Sequence, residues 1–265
     1  MNKLSIITIN YNNAADLRET IKSVLEQTWT GFEYIIIDGG STDGSVEIIK
    51  QHQERIAYWV SEPDKGIFNA MNKGIEKATG EYLLMLNAGD VLHSRDTLEQ
   101  VFGKRSYTEE VLYGNAVLES NGKVFGTKVF SEPVTFDFFR KTSLSHQACF
   151  IKRELHDRSG LYDEALKYSS DWKFLLLAFC KYNVRSVYLD LFLATCNCDG
   201  LTWSPRNFKA MRKEMNSVLD MHFPGYVFVD QSADEQGKWF GTGRAIISSV
   251  KGLAKKGLKK IIPSL

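Results

Sequence analysis

Apolar and polar positions follow two alternating patterns through the first ninety residues of the chain. Short, nearly continuous apolar runs alternate with segments in which apolar residues recur every three or four positions. The first pattern is typical of strands buried on both faces, and the second of helices that bury one face. The apolar runs predict strands over Leu4 to Asn10, Phe32 to Ile37, Ile56 to Ser61 and Tyr82 to Asn87, and the periodic segments predict helices over Asp16 to Gln27, Val46 to Gln53 and Ile67 to Lys77. We therefore expect parallel βαβ units and a doubly wound, mostly parallel sheet flanked by helices.

The regular alternation ends after a predicted helix over Asp96 to Phe102. Asn121 and Gly122 then separate two strand-like segments and predict a hairpin, so we expect an antiparallel element in the sheet. Further strands are predicted over Val111 to Tyr113, Val117 to Ser120, Lys123 to Val129, Gln147 to Lys152, Val184 to Leu189 and Phe192 to Cys196, and further helices over Phe136 to Arg140, Asp171 to Lys181 and Phe208 to Met221. Because no linker or repeat interrupts the chain, we expect residues 1–110 and 111–205 to be two halves of one domain, with a C-terminal helical extension over 206–265.

The last helical pattern, from Thr242 to Ile262, is strongly basic. Residues 241–265 contain six lysine and arginine residues and no aspartate or glutamate, although the whole chain has a net charge of only +1. A basic amphipathic helix predicts peripheral contact with an anionic membrane surface. A helix packed on the more acidic remainder of the chain would have the same pattern, so both alternatives stay open.

Composition narrows the class of protein. The 265 residues include 33 basic and 32 acidic side chains, and this balance does not favour a nucleic-acid-binding protein. The four cysteines show no paired spacing for a metal site, and the sequence predicts neither a signal peptide nor a membrane span. We therefore expect a globular cytoplasmic protein with reduced cysteines.

The loop after the first predicted strand shows whether the chain carries either of two common nucleotide-binding motifs. Residues 10–14 lack the glycines of a dinucleotide-binding turn, and the Gly-Lys-Ser or Gly-Lys-Thr of a P-loop does not occur in the chain. The phosphate charge of a nucleotide would therefore need another partner, most simply a divalent cation held on carboxylates. Asp90 lies just beyond the predicted carboxyl end of a central strand, where such sheets bind ligands, although a turn-forming Asp is the plainer interpretation.

Four short motifs follow one another at characteristic spacings. They are Ser5-Ile6-Ile7-Thr8 with Tyr11-Asn12, then Asp38 to Ser45, then Asp64-Lys65-Gly66 with Ala70 to Gly74, then Gly80-Glu81-Tyr82 leading to Leu86 to Asp90. Their order and spacing resemble the inverting family 2 glycosyltransferases of GT-A fold, and a looser similarity continues through Ser145 to Gln147 and Ser170 to Trp172. The resemblance implies a nucleotide-sugar donor held by residues 1–110, an acceptor on the side of residues 111–205, a divalent metal, and inversion at the anomeric carbon.

The resemblance also implies which residues contact the donor. Thr8 and Tyr11 fall where the family meets the nucleotide base, and Asp38 falls where a carboxylate accepts a hydrogen bond from the ring N–H of that base. Asp64 matches a further acid that contacts the nucleotide, and Asn87 is expected to bond a ribose hydroxyl. We expect the nucleotide to be uridine diphosphate.

The metal motif departs from the family pattern. Family members usually carry Asp-x-Asp where this chain has Asn87-Ala88-Gly89-Asp90, which leaves Asp90 as the expected carboxylate ligand for Mn²⁺ or Mg²⁺. One carboxylate together with substrate phosphates and water suffices for either ion. We therefore expect weak affinity for the free metal and tighter binding of the metal with the nucleotide.

Inverting transfer needs a general base that takes the proton of the acceptor hydroxyl. The resemblance implies that Asp171 is this base and that His146 and Trp172 lie at the acceptor site. Asp171 also begins a predicted helix, so a purely capping role is an alternative, and a lone histidine is often structural.

Together these expectations describe a cytoplasmic enzyme that transfers a sugar to a glycan or lipid-linked acceptor in surface polysaccharide synthesis. One alternative is a nucleotidyltransferase, which would want a glycine-rich and basic loop after the first strand. The other is a catalytically inactive sugar-nucleotide-binding protein, which Asn87 and Gly89 make plausible. The presence of both Asp90 and Asp171 favours an enzyme.

Overall fold

The computed structural model describes residues 3–130, 133–200 and 203–224. The strands are β1 (Leu4–Asn10), β2 (Phe32–Asp38), β3 (Tyr58–Ser61), β4 (Tyr82–Met85), β5 (Val91–Leu92), β6 (Val111–Ser120), β7 (Lys123–Lys128), β8 (Cys149–Lys152) and β9 (Ser186–Asn197). The helices are α1 (Ala14–Leu25), α2 (Ser45–Gln51), α3 (Ile67–Lys77), α4 (Thr97–Phe102), α5 (Phe136–Lys141), α6 (Arg153–Ser159), α7 (Ser170–Cys180) and α8 (Phe208–His222). The helix predicted over Thr242 to Ile262 lies outside the described residues. In the part of the chain that is described, no helix is both long and apolar enough to cross a bilayer.

All nine strands join one sheet in which β3, β2, β1 and β4 lie side by side and pair in parallel. Beyond β4 the pairing changes, because β8 pairs antiparallel with both β4 and β6. β9 runs parallel to β6, β5 pairs antiparallel with β9, and β7 forms the predicted hairpin with β6. The predicted α/β class is confirmed, with as many antiparallel as parallel strand pairs among the described residues. Strands from both sides of residue 110 share this sheet.

The sheet has an apolar core on each face, because alternate residues of a strand point to opposite sides. In β1, Ile7 and Ile9 belong to the core that includes α3, α7 and α8, whereas Leu4 and Ile6 belong to the core that includes α1, α2 and α4. An added Cβ at Gly74 of α3 would overlap the Ile7 side chain, so this helix packs tightly over β1. The two helical layers thus hold the carboxyl ends of the parallel strands in fixed positions.

Several predicted boundaries differ from the observed ones for local reasons. β6 and β9 are each continuous where two strands were predicted, and shifts in their register around Gly114 and Asn115 absorb the interruptions in the apolar pattern. Gln147 lies in a 3₁₀ turn, His146–Ala148, instead of beginning a strand. The short elements β5 and α6 were not predicted.

Candidate active site

A cleft of about 920 Å³ opens where β1, β2 and β4 end. Its other walls come from the turn at His146, the loop before α7, and the segment just after β9. Ligands of open α/β sheets bind outside the carboxyl ends of the strands. The cleft therefore lies where the fold favours a binding site.

Six of the nine predicted site residues line this cleft. They are Tyr11, Asp64, Asn87, Asp90, His146 and Asp171. The turns after β1, β3 and β4, the 3₁₀ turn before β8 and the start of α7 contribute these side chains, so the fold brings together residues that are up to 160 positions apart in the sequence. The other three, Thr8, Asp38 and Trp172, are buried in the body of the protein.

Thr8 and Trp172 make internal contacts. The Thr8 hydroxyl donates to the Leu86 carbonyl at 2.7 Å and lies 2.9 Å from the Tyr34 hydroxyl, and the Trp172 Nε1–H donates to the Phe139 carbonyl at 3.0 Å. Thr8 points away from the cleft because the pleat of β1 alternates the two faces. The structure does not bring either residue into the cleft, and we leave both out of the site proposed below.

Asp38 is fully buried and accepts four hydrogen bonds from protein groups. The donors are the Asn10 amide at 2.7 Å, the Ser41 hydroxyl at 2.6 Å, the Ser41 backbone N–H at 2.9 Å and the Ser61 hydroxyl at 2.6 Å. Burial opposes ionisation of this carboxyl, but the four donors outweigh it and hold the pKa below the usual value. Asp38 is therefore a buried carboxylate whose negative charge is stabilised by four hydrogen bonds. These bonds connect the ends of β1, β2 and β3.

One end of the cleft is a slot between an aromatic ring and a carboxylate. The Tyr11 ring is 67% exposed and offers a face on which a planar base can stack. Asp64 Oδ1 pairs with Lys73 Nζ at 2.7 Å, which fixes the carboxylate across the slot. A Cβ added at Gly39 would lie 3.1 Å from Asp64 Oδ2 and 3.1 Å from Tyr11 Cδ2, so glycine at this position keeps the slot open.

Replacement of Gly39 by valine should narrow this slot and weaken nucleotide binding by about tenfold, the effect of about 1.4 kcal/mol. The backbone conformation at Gly39 does not require glycine, so we expect the variant to fold. Isothermal titration with uridine diphosphate measures the change. Gly200→Ala is the matched control, because Gly200 also lines the cleft and an added Cβ there meets nothing within 4 Å. Equal affinity of Gly39→Val and wild type would show that the base binds elsewhere.

Asp90 lines the cleft and is almost completely buried. Its Oδ1 accepts from the Asn197 backbone N–H and its Oδ2 from the Gln147 side-chain amide, each at 3.0 Å. Burial raises the pKa of Asp90 to about 6, although the charge of His146 and these two hydrogen bonds oppose the rise. Each carboxylate oxygen of Asp90 thus accepts one hydrogen bond from a neutral donor and keeps a lone pair that could bind a cation.

His146 and Asp171, which also line the cleft, form a hydrogen-bonded pair. His146 Nδ1 lies 2.8 Å from Asp171 Oδ2, and His146 Nε2 lies 3.3 Å from Asn87 Nδ2. Burial disfavours both charged forms, but the mutual contact prevails, so the pKa of Asp171 is lowered and that of His146 is raised. The pair leaves Asp171 ionised at neutral pH with one oxygen, Oδ1, outside the bond to His146.

The charge of the cleft wall fits a divalent cation that arrives with phosphate groups. Its lining includes five carboxylates, those of Asp16, Asp64, Asp90, Asp171 and Asp199, but a single lysine, Lys167. Repulsion from this wall would oppose the binding of a bare diphosphate. Among the described residues no group of three or more His, Cys, Asp or Glu side chains is arranged to hold a metal. Asp90, whose two oxygens each accept from one neutral donor, is the residue that could hold such an ion together with a ligand.

Several residues that shape the cleft were not predicted. Gln147 and Asn197 hold Asp90; Gln147 begins a predicted strand and Asn197 directly follows another, and neither was predicted to contact Asp90. Glu214 of α8 accepts hydrogen bonds from the backbone N–H groups of Lys167 and Tyr168 and so fixes the loop that leads to α7. These contacts join positions far apart in the sequence, and no local pattern signals them.

Comparisons with known proteins agree with this geometry. A family model described as "Glycosyl transferase family 2" matches residues 5–160. A PGL/p-HBAD biosynthesis glycosyltransferase of Mycobacterium bovis (strain BCG / Pasteur 1173P2) is 30% identical over 198 residues, which are 73% of this chain and 76% of the relative. An uncharacterized glycosyltransferase of Mycobacterium tuberculosis (strain ATCC 25618 / H37Rv) is 34% identical over 184 residues, 66% of this chain and 68% of the relative.

Solved structures share the fold at lower sequence identity. Staphylococcus aureus TarS residues 1–349 in complex with UDP superimposes with a TM-score of 0.61 and 19% identity, over 83% of this chain and 66% of that one. The mannosyltransferase PcManGT of Pyrobaculum calidifontis in complex with GDP-Man and Mn²⁺ gives a TM-score of 0.57 at 19% identity, over 83% and 63% of the two chains. The family match and the two relatives show that the chain is a glycosyltransferase and belongs to glycosyl transferase family 2.

Proposed function

We propose that this enzyme transfers a sugar from a uridine diphosphate sugar to a glycan or lipid-linked acceptor, with inversion at the anomeric carbon. The observation that carries the proposal is that one cleft is lined by the slot at Tyr11 and Asp64 and by Asn87, Asp90 and Asp171. A base in the slot would place the ribose near Asn87 and the diphosphate near Asp90. The sugar would then lie toward Asp171, where an acceptor hydroxyl can reach it.

The chemistry follows from these positions. The acceptor oxygen attacks the anomeric carbon from the face opposite the phosphate, and the bond between that carbon and the phosphate oxygen breaks. Asp171 takes the proton of the acceptor hydroxyl, and His146 holds the carboxylate in place through the 2.8 Å hydrogen bond. A Mn²⁺ or Mg²⁺ ion held by Asp90 and the donor's phosphates would supply neutralisation of the charge on the leaving diphosphate.

Several solved structures of similar fold contain a nucleotide or a nucleotide sugar, and this supports the proposed donor class. TarS has been solved with UDP and with UDP-GlcNAc, and PcManGT with GDP-Man and Mn²⁺. Their ligands make a nucleotide-sugar donor and a divalent cation the first choice for this chain. The turn after β1 carries no glycine or basic residue, which disfavours a nucleotidyltransferase.

The direct test is a thermal-shift panel of nucleoside diphosphates and nucleotide sugars, each with and without Mn²⁺. A ligand that binds only the folded state raises the midpoint of unfolding, by an amount that grows with its concentration relative to Kd. We expect uridine compounds with Mn²⁺ to give the largest rise, and the sugar nucleotide that does so is then assayed for transfer. If no nucleotide shifts the midpoint, the proposed donor class is wrong.

We further propose that the enzyme works in the cytoplasm at the membrane face, where a lipid-linked acceptor for surface polysaccharide would be found. The support is the basic composition of residues 241–265. Flotation with anionic liposomes should show that the full-length chain binds at low salt and that a chain ending at Gly241 does not, because each cation near an anionic surface contributes about 1 kcal/mol. Neutral liposomes are the control. Equal flotation of the two chains would remove the support for a membrane-bound acceptor.

A further inference from the structure

Asn10 is the last residue of β1, it lines the cleft, and it is only 6% exposed. Its Nδ2 donates to Asp38 Oδ1 at 2.7 Å and lies 3.3 Å from the Ser41 hydroxyl. These two acceptors fix which end of the amide is the donor. The other end, Asn10 Oδ1, is buried and has no hydrogen-bond partner within residues 3–130, 133–200 and 203–224. A buried carbonyl oxygen without a donor is rare and costly unless a ligand supplies the donor.

Asp38, in contrast, has no such unused capacity. A carboxylate offers about four acceptor positions, and Asp38 already accepts from Asn10, Ser61 and two groups of Ser41. A base N–H could reach this carboxylate only by displacing one of those donors. The Asp64 carboxylate at the same end pairs with Lys73 through Oδ1. Among the described residues at this end of the cleft, Asn10 Oδ1 is the buried amide oxygen that lacks a donor.

We propose that Asn10 Oδ1 accepts a hydrogen bond from the ring N–H of the donor's base, and that Asp38 is a positioning residue that acts through Asn10. The location suits a base, because the Asn10 backbone carbonyl accepts from the Gly39 N–H at 2.8 Å and Gly39 forms the slot with the Tyr11 ring. The partner chemistry is a ring N–H beside a carbonyl, as in uracil N3–H and guanine N1–H. Cytosine and adenine present a bare ring nitrogen there, which would face Oδ1 as a second acceptor. The inference rests on the proposed function only in requiring a nucleotide donor.

The test compares nucleotides that differ by one methyl group on that ring nitrogen. Isothermal titration measures the affinity of the protein for uridine diphosphate and its N3-methyl form, and for guanosine diphosphate and its N1-methyl form. The two pairs show whether the bound base is uracil or guanine. Wild type should prefer the unmethylated form of whichever base it binds by at least about tenfold, because methylation leaves a buried acceptor unpaired. Asn10→Val fills the same space without an acceptor, so its preference should fall to about one.

Ser61→Ala is the matched control, because it also removes one donor from Asp38 but leaves the Asn10–Asp38 bond in place. It should keep the wild-type preference, and the thermal unfolding of both variants shows whether each is folded. If Asn10→Val retains the preference for the unmethylated base, or if wild type has none, Asn10 does not read the base. If wild type binds neither nucleotide, the proposed donor fails together with this inference, so the two failures are distinguishable.

Discussion

Asp171→Asn should bind the donor normally and lose a factor of roughly 10² to 10⁴ in turnover, the usual contribution of a general base. Asparagine has nearly the same shape, its carbonyl oxygen can still accept from His146 Nδ1, and it remains acceptable in the first turn of α7. What it lacks is the ability to take a proton at neutral pH. Donor binding is measured by calorimetry and turnover by release of the nucleoside diphosphate.

Asp163→Asn is the control for a lost carboxylate near the start of α7. Asp163 pairs with Lys173 at 2.6 Å and is not among the residues that line the cleft, so its loss should lower stability slightly and leave turnover within a few-fold of wild type. Near-native turnover by Asp171→Asn would instead transfer the role of base to His146.

The pH dependence of turnover separates the two candidate bases. If Asp171 takes the proton, its lowered pKa keeps the base ionised, and turnover should stay level as pH falls from 8 through neutrality. If neutral His146 takes the proton, its raised pKa means that turnover should already fall as pH decreases through the neutral range. Because the two side chains share a hydrogen bond, a substitution of either one also disturbs the other. The pH profile of wild type tests both candidates in the intact pair.

The sequence predicted the parts of this site that depend on element order and missed those that depend on side-chain direction. Asp90 was expected from where a buried strand ends and Asp171 from the resemblance to the family, and the fold brings both to one cleft. The resemblance predicted that Thr8 contacts the nucleotide base. Successive side chains of β1 point to opposite faces of the sheet, however, and the Thr8 side chain lies on the face away from the cleft. Asp38 has the predicted position, yet only three-dimensional contacts with Ser41 and Ser61 reveal that its acceptor sites are filled.

The second large effect that we expect is loss of metal-dependent turnover in Asp90→Asn. The amide can still accept from the Asn197 N–H, and Gln147 can rotate its own amide to accept from the new Nδ2–H, so the local structure should persist. The variant lacks the anionic oxygen that a divalent cation requires. Asp199→Asn, which also removes a carboxylate from the cleft lining, is the control and should still respond to Mn²⁺. Metal-stimulated turnover by Asp90→Asn equal to that of wild type would exclude Asp90 as the ligand.

The same substitution should stabilise the protein in the absence of metal. Because burial raises the pKa of Asp90 to about 6 from its ordinary value of 3.8, the folded state binds a proton more tightly than the unfolded state does. Between these two pKa values the folded state carries more protons, so wild-type stability should fall as pH rises, by up to about 3 kcal/mol once pH exceeds the folded pKa. Asp90→Asn has no such titration, and the difference in free energy of unfolding between the two proteins should grow in favour of the variant from pH 4.5 to 7. Urea unfolding of both proteins at several pH values measures this difference. Added Mn²⁺ with nucleotide should then stabilise wild type more than the variant, since the charge that burial disfavours is the one that the cation would compensate.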